Sequence, residues 1–435
     1  MKLSQHLGKI SWSLGDKALY VGYGLVQLLQ IKALNPDVYG VFSLLVALNT
    51  WIMLVSDGSA LQGVIQFGVQ PEERRRVNSL GMVIHVTIVG MAALLIYLLQ
   101  QPLSSAFHEP RFVVVAQMLP LYVALSTPRM FCLKILYRDM RMRDLFVTDV
   151  VWFGVRTSMT VWALQTDSLH TLGDIIRIDF VGMAASSIAS ILITRKDMIF
   201  GWEGTVRVWE YVRFGIPLAL ATALNSTPRQ LDVFVIQAYF GAAAVGVYNP
   251  AKNLYRFFEQ AFDAVFTLLY PASVRLYAQH REEDLQKLVT KAMSFTIIPV
   301  VVALVVLEFG GSSLIVPLLG QKYAAAVGHF NVLILAALFM PFGLMASVIT
   351  AMGHSTVVVR YSAVGLILSI ATLVLVGVMG WEQWIALGLV VNTAVVGVLC
   401  VAYVRRHIHF PWSMMLRAFS DVRNVALPAR KGGKT

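Results

Sequence analysis

Apolar residues gather into long runs near 11–31, 39–56, 79–99, 112–137, 145–165, 175–193, 214–240, 244–270, 290–310, 327–350, 360–380 and 384–404, with short polar breaks between them. A helix needs roughly 20 such residues to cross the hydrocarbon of a bilayer. The pattern therefore predicts an all-α integral membrane protein of twelve transmembrane helices. The opening "MKLSQHLGKISWSLGDKALY" has no long uninterrupted apolar region and no small-residue cleavage site, so the first span is expected to be retained.

One run breaks the pattern from within. In "YNPAKNLYRFFEQAFDAVFTLLYP" (248–271), Lys252, Arg256, Glu259 and Asp263 interrupt an otherwise apolar stretch. At the helical repeat they share roughly a 60° arc, which Asn249, Thr267 and Tyr270 extend. One such charge facing lipid costs about 2.5–3.5 kcal/mol and four on the order of ten, so the stripe has to face water or other helices. The preceding run adds Asn225, Arg229 and Asp232 at i, i+4 and i+7, with Pro228 freeing a backbone carbonyl beside the arginine. The fourth run repeats the Pro-Arg pair at Pro128 and Arg129. Static pairing at i, i+3 and i+4 also suits these spacings. The spread of charges over several spans favours a polar cavity. Asp16, Lys17, Asp149 and Arg177 lie nearer span ends, where snorkelling is an equal expectation, and Asp57 and Glu308 are set aside for the same reason.

Two halves emerge along the chain. "KDMIFGWEGTVRVWEYVR" (196–213) puts Trp202, Val206 and Trp209 on one helical face opposite Glu203, Arg207 and Glu210, predicting a helix lying in the membrane interface. It separates an amino-terminal six-helix bundle (1–195) from a carboxy-terminal one (214–404), with a basic tail over 405–435. The halves echo each other. "LNPDVYGVFSLLVALN" (34–49) opens the second span as "FGAAAVGVYNPAKNLY" (240–255) opens the eighth, each with a short turn and then Gly-Val-aromatic. Six spans per half give both halves one orientation, so the repeat is a parallel one with a central cavity between bundles.

Composition agrees: 57% of residues are hydrophobic and 14% charged, and mean hydropathy is +0.69. The net charge of +11 collects on one side of the twelve-span arrangement, at Lys2, Lys9, Arg74–Arg76, Arg138, Arg141, Arg143, Arg195, Lys196, Arg207, Arg213, Arg275, Arg281, Lys287, Lys291, Arg360 and the seven basic residues after 404. Only Lys32, Arg111 and Lys322 fall opposite. Positive charge marks the cytoplasmic side, which predicts a multi-pass protein of the inner (cytoplasmic) membrane with both termini cytoplasmic. The charge is thereby explained by topology and by attraction to membrane lipids, and nucleic acid is not an expected partner. Cys132 and Cys400 both lie within spans, so neither a disulfide framework nor a metal site is expected, and no cofactor is implied. The terminal "KGGKT" lacks the leading glycine and the following helix of a phosphate-binding loop, and the sequon "NST" at 225–227 lies inside a span.

"LNPDVYGVFSLLVAL", "GAAAVGVYNPAKNL", "LLYPASVRL" (268–276) and "VPLLGQKYAAAV" (316–327) resemble recurrent segments of the Wzx-like polysaccharide flippases, a branch of the multidrug/oligosaccharidyl-lipid/polysaccharide exporter superfamily. The chain departs at Ala33, Leu34 and Asn35, where that family more often has Leu-Gly-Pro. The resemblance implies a transporter, not an enzyme. Its expected cargo is a lipid-linked (polyprenyl pyrophosphate) oligosaccharide, moved from the cytoplasmic to the outer leaflet by alternating access, with polysaccharide assembly proteins as further partners. Guanidinium groups suit a pyrophosphate because they make bidentate, permanently charged contacts. Arg129, Arg229, Lys252 and Arg256 are thus the candidate phosphate ligands, with Asn225 and Asn249 set to meet sugar hydroxyls. Asp232, Glu259 and Asp263 are candidates for ion coupling or gating. Two alternatives stand beside this reading: a cation-coupled drug antiporter of the same superfamily, and a membrane-embedded glycan polymerase or ligase. The short outer loops speak against the latter.

Overall fold

The computed structural model describes residues 3–408, so most of the expected basic tail over 405–435 lies outside the described residues. Secondary structure among them is helical throughout. In chain order the helices are α1 (Leu3–Ala33), α2 (Pro36–Ser56), α3 (Gln62–Phe67), α4 (Arg74–Leu98), α5 (Gln100–Ala106), α6 (Phe112–Arg138), α7 (Met142–Gln165), α8 (Leu172–Thr194), α9 (Val208–Ser226), α10 (Pro228–Ala278), α11 (Glu282–Leu319), α12 (Ala326–Gly343), α13 (Met345–Ala351), α14 (Ser355–Val378) and α15 (Leu387–His407). Short 3-10 turns supplement them at Pro71–Glu73, Gln321–Tyr323 and Glu382–Trp384.

The solvent preference of this chain is inverted relative to a water-soluble protein. Leu94, Leu98, Ile188, Leu192, Ile367, Leu375 and Val378 are exposed, whereas Arg129, Asp149, Arg156, Asp179 and Lys252 are buried. Hydrocarbon outside and paired charge inside is the arrangement a bilayer selects. Among the described residues, nine helical stretches are long and apolar enough to cross a membrane. Three differences from the twelve runs have local causes. α1 carries Lys9, Asp16 and Lys17 and α7 carries Asp144, Asp149 and Arg156, so neither reaches the apolarity of the nine. The second part of the seventh run and the eighth run share one stretch because two helical segments of α10 meet at a kink at Gly241. There φ is +83°, a backbone region that only glycine visits freely.

The second span is longer than its apolar core suggests. α2 passes through a π-helical turn at Asp57–Leu61 directly into α3, so the stretch runs Pro36–Phe67 and Asp57 sits well inside it instead of at an end. Pro36 at the first turn of α2 is pre-set for a helical φ, with Asn35 extended before it. α8 begins in a capping box, Thr171 and Asp174 each bonding the other's backbone N–H.

The stretch expected as an interfacial helix over 196–213 is not helical until Val208. Residues 198–207 form a strap whose backbone groups bond to the start of α4 in place of one another. The Glu73 carboxylate accepts from the Thr205 and Val206 N–H groups at 2.8–3.2 Å and from the Thr205 hydroxyl at 2.6 Å. Arg76 donates to the Val206 and Trp202 carbonyls, both at 2.6 Å, and Asn78 donates to the Asp197 and Ile199 carbonyls at 3.1 and 3.0 Å. Val206 is pinned inside at 8% exposure while Trp202 and Trp209 remain 60% and 68% exposed, so the three do not share one face.

The chain packs as two compact units, Met1–Pro250 with Val316–Ala324, and Ala251–Ile315 with Ala325–Thr435. In the first, α6 packs on α2, α4 and α8, and α7 lies between α1 and α8. Residues 316–324 join this unit at the end of α1. The Tyr323 hydroxyl donates to the Leu34 carbonyl at 3.1 Å and Lys322 to the Ala33 carbonyl at 3.2 Å. Within the same unit the two Gly-Val-aromatic segments cross at backbone distance. A Cβ on Gly40 would stand 1.8 Å from the Ala242 carbonyl oxygen, and one on Gly246 would stand 1.7 Å from that of Pro36. Each glycine faces the carbonyl four residues ahead of the other, a reciprocal relation like that of a two-fold contact. The second unit is built on α15 packed between α12 and α14, with Leu285, Val289, Met293, Met345, Val348, Ile349, Cys400 and Val404 in one core cluster.

Candidate functional site

The densest buried chemistry of the first unit is a ladder of ion pairs climbing α6. Pro128 deletes one backbone donor of that helix, and the Ser187 hydroxyl of α8 donates to the nearby Leu125 carbonyl. One residue on, Arg129 forms an ion pair with Asp149 of α7 and donates from Nε to the Ser186 hydroxyl at 2.9 Å. Its guanidinium lies 4.3 Å from the centre of the Trp152 ring. Arg156, two turns further along α7, pairs with Asp179 of α8 and covers the Tyr23 ring at 4.5 Å. Asp179 is 1% exposed, so this pair is cut off from water. Lys134 completes the ladder, with Nζ 2.7 Å from Asp57 in the π-helical turn, whose carboxylate also accepts from Gln62 Nε2 at 2.9 Å. Near it the Ser56 hydroxyl meets His85 Nδ1 at 2.6 Å.

A π-turn places one extra residue in a helical turn and is a common way to aim a polar group inward. Here it turns Asp57 toward α6. The sequence held the elements of this ladder but not its depth. Asp149 and Arg156, seven apart on α7, share a face, and "RIDF" sets Asp179 into the apolar run of α8. Asp149 and Asp57 had been read as near-end residues. Asp149 is buried and Asp57 half-buried away from any span end, because α7 begins at Met142 and the second span extends to Phe67. Asp179, Trp152, Tyr23 and Lys134 carry no motif. Only an ionisable residue inside an apolar run marks Asp179 and Lys134.

Of the nine candidates read from the sequence, Arg129 stands apart on α6 within this ladder, and the others follow one another along α9 and α10. The Asn225 side chain lies outside the described ones. Arg229 is exposed. Asp232 is buried and accepts a 2.6 Å hydrogen bond from the Tyr248 hydroxyl, which reaches it across the Gly241 turn, and a 2.8 Å bond from the Val233 N–H. Asn249 is half-buried. In the second unit Lys252 is buried, Glu259 is half-buried, and Arg256 and Asp263 are exposed. The α10 stripe thus alternates sheltered and accessible charge along one helix.

A smaller cluster closes the loop end of the first unit. Arg111 bridges Glu109 and Asp37, both at 2.8 Å. The bond from Glu109 raises the Arg111 pKa further, so it stays charged. Among the described residues no group of His, Cys, Asp and Glu side chains is arranged to hold a metal ion.

Solved structures of membrane transporters share this architecture. A multidrug resistance MATE family transporter of the MOP superfamily, in an inward-facing conformation, superposes with a TM-score of 0.71 at 11% identity, over 89% of this chain and 94% of that one. Lipid II flippase MurJ, in an inward closed conformation, gives a TM-score of 0.72 at 13% identity, over 98% and 94%. A MOP superfamily transporter from Pyrococcus furiosus gives 0.61 at 12% identity, over 96% and 95%. At these identities the likeness is one of fold. A comparison with curated protein sequences gives no match. Residues 32–328, spanning the ladder, the strap and the α10 stripe, match the family model described as "Polysaccharide biosynthesis protein", and the chain belongs to that family.

Proposed function

We propose that the protein is a flippase that carries a lipid-linked oligosaccharide from the cytoplasmic to the outer leaflet of the inner membrane, with both termini cytoplasmic. The observation that carries this reading is the charged stripe of α10 in a membrane-spanning chain of a polysaccharide biosynthesis family. A neighbour of the same fold is itself named a lipid II flippase. A sugar on a pyrophosphate cannot enter hydrocarbon unaided, while its polyprenyl tail is best left there. A polar helix face beside lipid serves both ends of such a molecule.

In the proposed cycle, Arg229, Arg256 and Lys252 bind the pyrophosphate, with Asn225 and Asn249 at the sugar. Arg129 is held in reserve by Asp149. Asp232, Glu259 and Asp263 offset the cations before substrate arrives or bind a coupling H⁺ or Na⁺. Exchange of Arg–carboxylate for Arg–phosphate pairs keeps the end states close in energy while two six-helix bundles alternate access. Parting of the Gly40–Gly246 crossing belongs to that motion, and polysaccharide assembly proteins supply or receive the cargo.

The test is leaflet exchange of a labelled polyprenyl-pyrophosphate oligosaccharide in proteoliposomes. Arg256→Ala and Arg229→Ala are each expected to lower the rate about tenfold or more, the loss of a charge-assisted contact, with insertion and abundance unchanged. An undiminished rate removes that residue from the site. Export of cationic dyes without exchange of the lipid-linked sugar would replace this reading with that of a drug antiporter.

A further inference from the structure

Apart from the proposed transport path, the first unit has an open surface groove, of about 480 Å³, at the start of α9. Phe67, Arg207, Trp209, Glu210, Arg213 and Phe214 line it. Its floor is built, not accidental. The Phe67 ring packs edge-on against Phe214 with centroids 5.3 Å apart and lies 5.7 Å from that of Tyr211. Tyr211 is fully buried, donates to the Ala60 carbonyl at 2.5 Å, and fills space left by Gly63, where a Cβ would come within 2.3 Å of its ring. Tyr211 thereby anchors the inner side of the floor.

Of the basic residues at this end, Arg143, Arg195 and Lys196 share the exposure of the rim's own arginines, and others are paired. Arg74, Arg75, Arg76, Arg138 and Arg141, at the same end of the unit, are all tied to carboxylates or carbonyls. Arg207 and Arg213 are exposed and make no ion pair or side-chain hydrogen bond among the described residues. Together with Glu210 they leave the rim one net positive charge, the complement of a phosphodiester. Trp209 and Val208 stand exposed beside them, and an indole next to basic side chains is the usual furnishing of a membrane's headgroup layer.

We propose that this pocket binds the head group of an anionic phospholipid, its phosphodiester held between Arg207 and Arg213 and its acyl chains lying over the Phe67–Phe214 floor and Trp209. Basic pockets on the cytoplasmic side of membrane proteins bind acidic head groups by the same means. A zwitterionic lipid brings an extra cation to the rim and is disfavoured.

The experiment uses the full-length protein in phosphatidylcholine nanodiscs, with phosphatidylglycerol titrated in and retained lipid read by native mass spectrometry. Each arginine is expected to contribute about fivefold to affinity, so Arg207→Gln/Arg213→Gln should bind phosphatidylglycerol roughly thirtyfold more weakly. Arg195→Gln/Lys196→Gln, on the same face outside the pocket, should bind as the wild type does. Equal losses in both pairs would reduce the effect to general surface charge and overturn the proposal. Full competition by inorganic phosphate would overturn it too, by making the pocket a simple anion site. Should the first variant fail to fold, photo-crosslinking of wild-type protein with a photoactivatable phosphatidylglycerol decides. Adducts within 207–214 or at Phe67 support the site, and adducts confined elsewhere reject it.

Discussion

The ladder of α6, α7 and α8 and the stripe of α10 both place charge inside a membrane-spanning chain, yet they solve the problem differently. In the ladder Arg129, Lys134 and Arg156 each have a carboxylate of their own, and aromatic rings cover the two guanidiniums. In the stripe, buried Lys252 is followed one turn later by Arg256, which is exposed and makes no ion pair among the described residues. A cation sealed against its own anion must be released before it serves a ligand. An accessible one is ready. The comparison separates charge that holds helices together from charge that is available for work.

That separation can be broken most forcefully at Arg156 and Asp179. Asp179→Asn leaves a guanidinium buried without its counter-ion and is expected to destabilise the first unit by about 3–5 kcal/mol, while Arg156→Met/Asp179→Leu recovers most of the loss. Heating in detergent followed by size-exclusion chromatography gives the surviving fraction of each variant. A double variant as unstable as the single one would show that the pair does more than neutralise itself.

A milder change sharpens the contrast at Arg129. Arg129→Lys keeps the charge but loses the fork that spans Asp149 and Ser186, and about 1–3 kcal/mol of thermal stability is expected to go with it. Arg256→Ala, by contrast, is expected to leave stability within about 0.5 kcal/mol, as for an exposed side chain, and to act on transport alone. Equal melting shifts for the two variants would erase the distinction. Smallest among the paired charges, Arg75→Ala, which breaks the exposed 3.0 Å pair with Glu203, is expected to shift stability by about 0.2–1 kcal/mol, an effect that disappears in high salt.

Much of the architecture was legible in the chain because hydrocarbon imposes a length on every crossing helix. The limits of that signal show at particular residues. α7 spends positions on Asp149 and Arg156, which pair inside the protein, and a hydropathy window penalises those ions as though they met lipid. Val206 had the spacing of an interfacial helix with Trp202 and Trp209. Glu73, Arg76 and Asn78 offered the strap stronger partners than its own carbonyls, and a long-range competition of this kind leaves no local periodicity. For the site, the α10 stripe was readable because its charges recur on one helix. The ladder joins residues of different helices, Asp57 with Lys134 and Asp179 with Arg156 among them. Pairing across helices is a property of packing, which residue type alone does not encode.

The crossing at Gly40 and Gly246 ties the history of the two chain segments together. Where two segments abut each other's main chain with no side chain between, neither is free to drift. A methyl group gained in one would have to be met by a retreat of the other, so the pair is expected to change in concert or not at all.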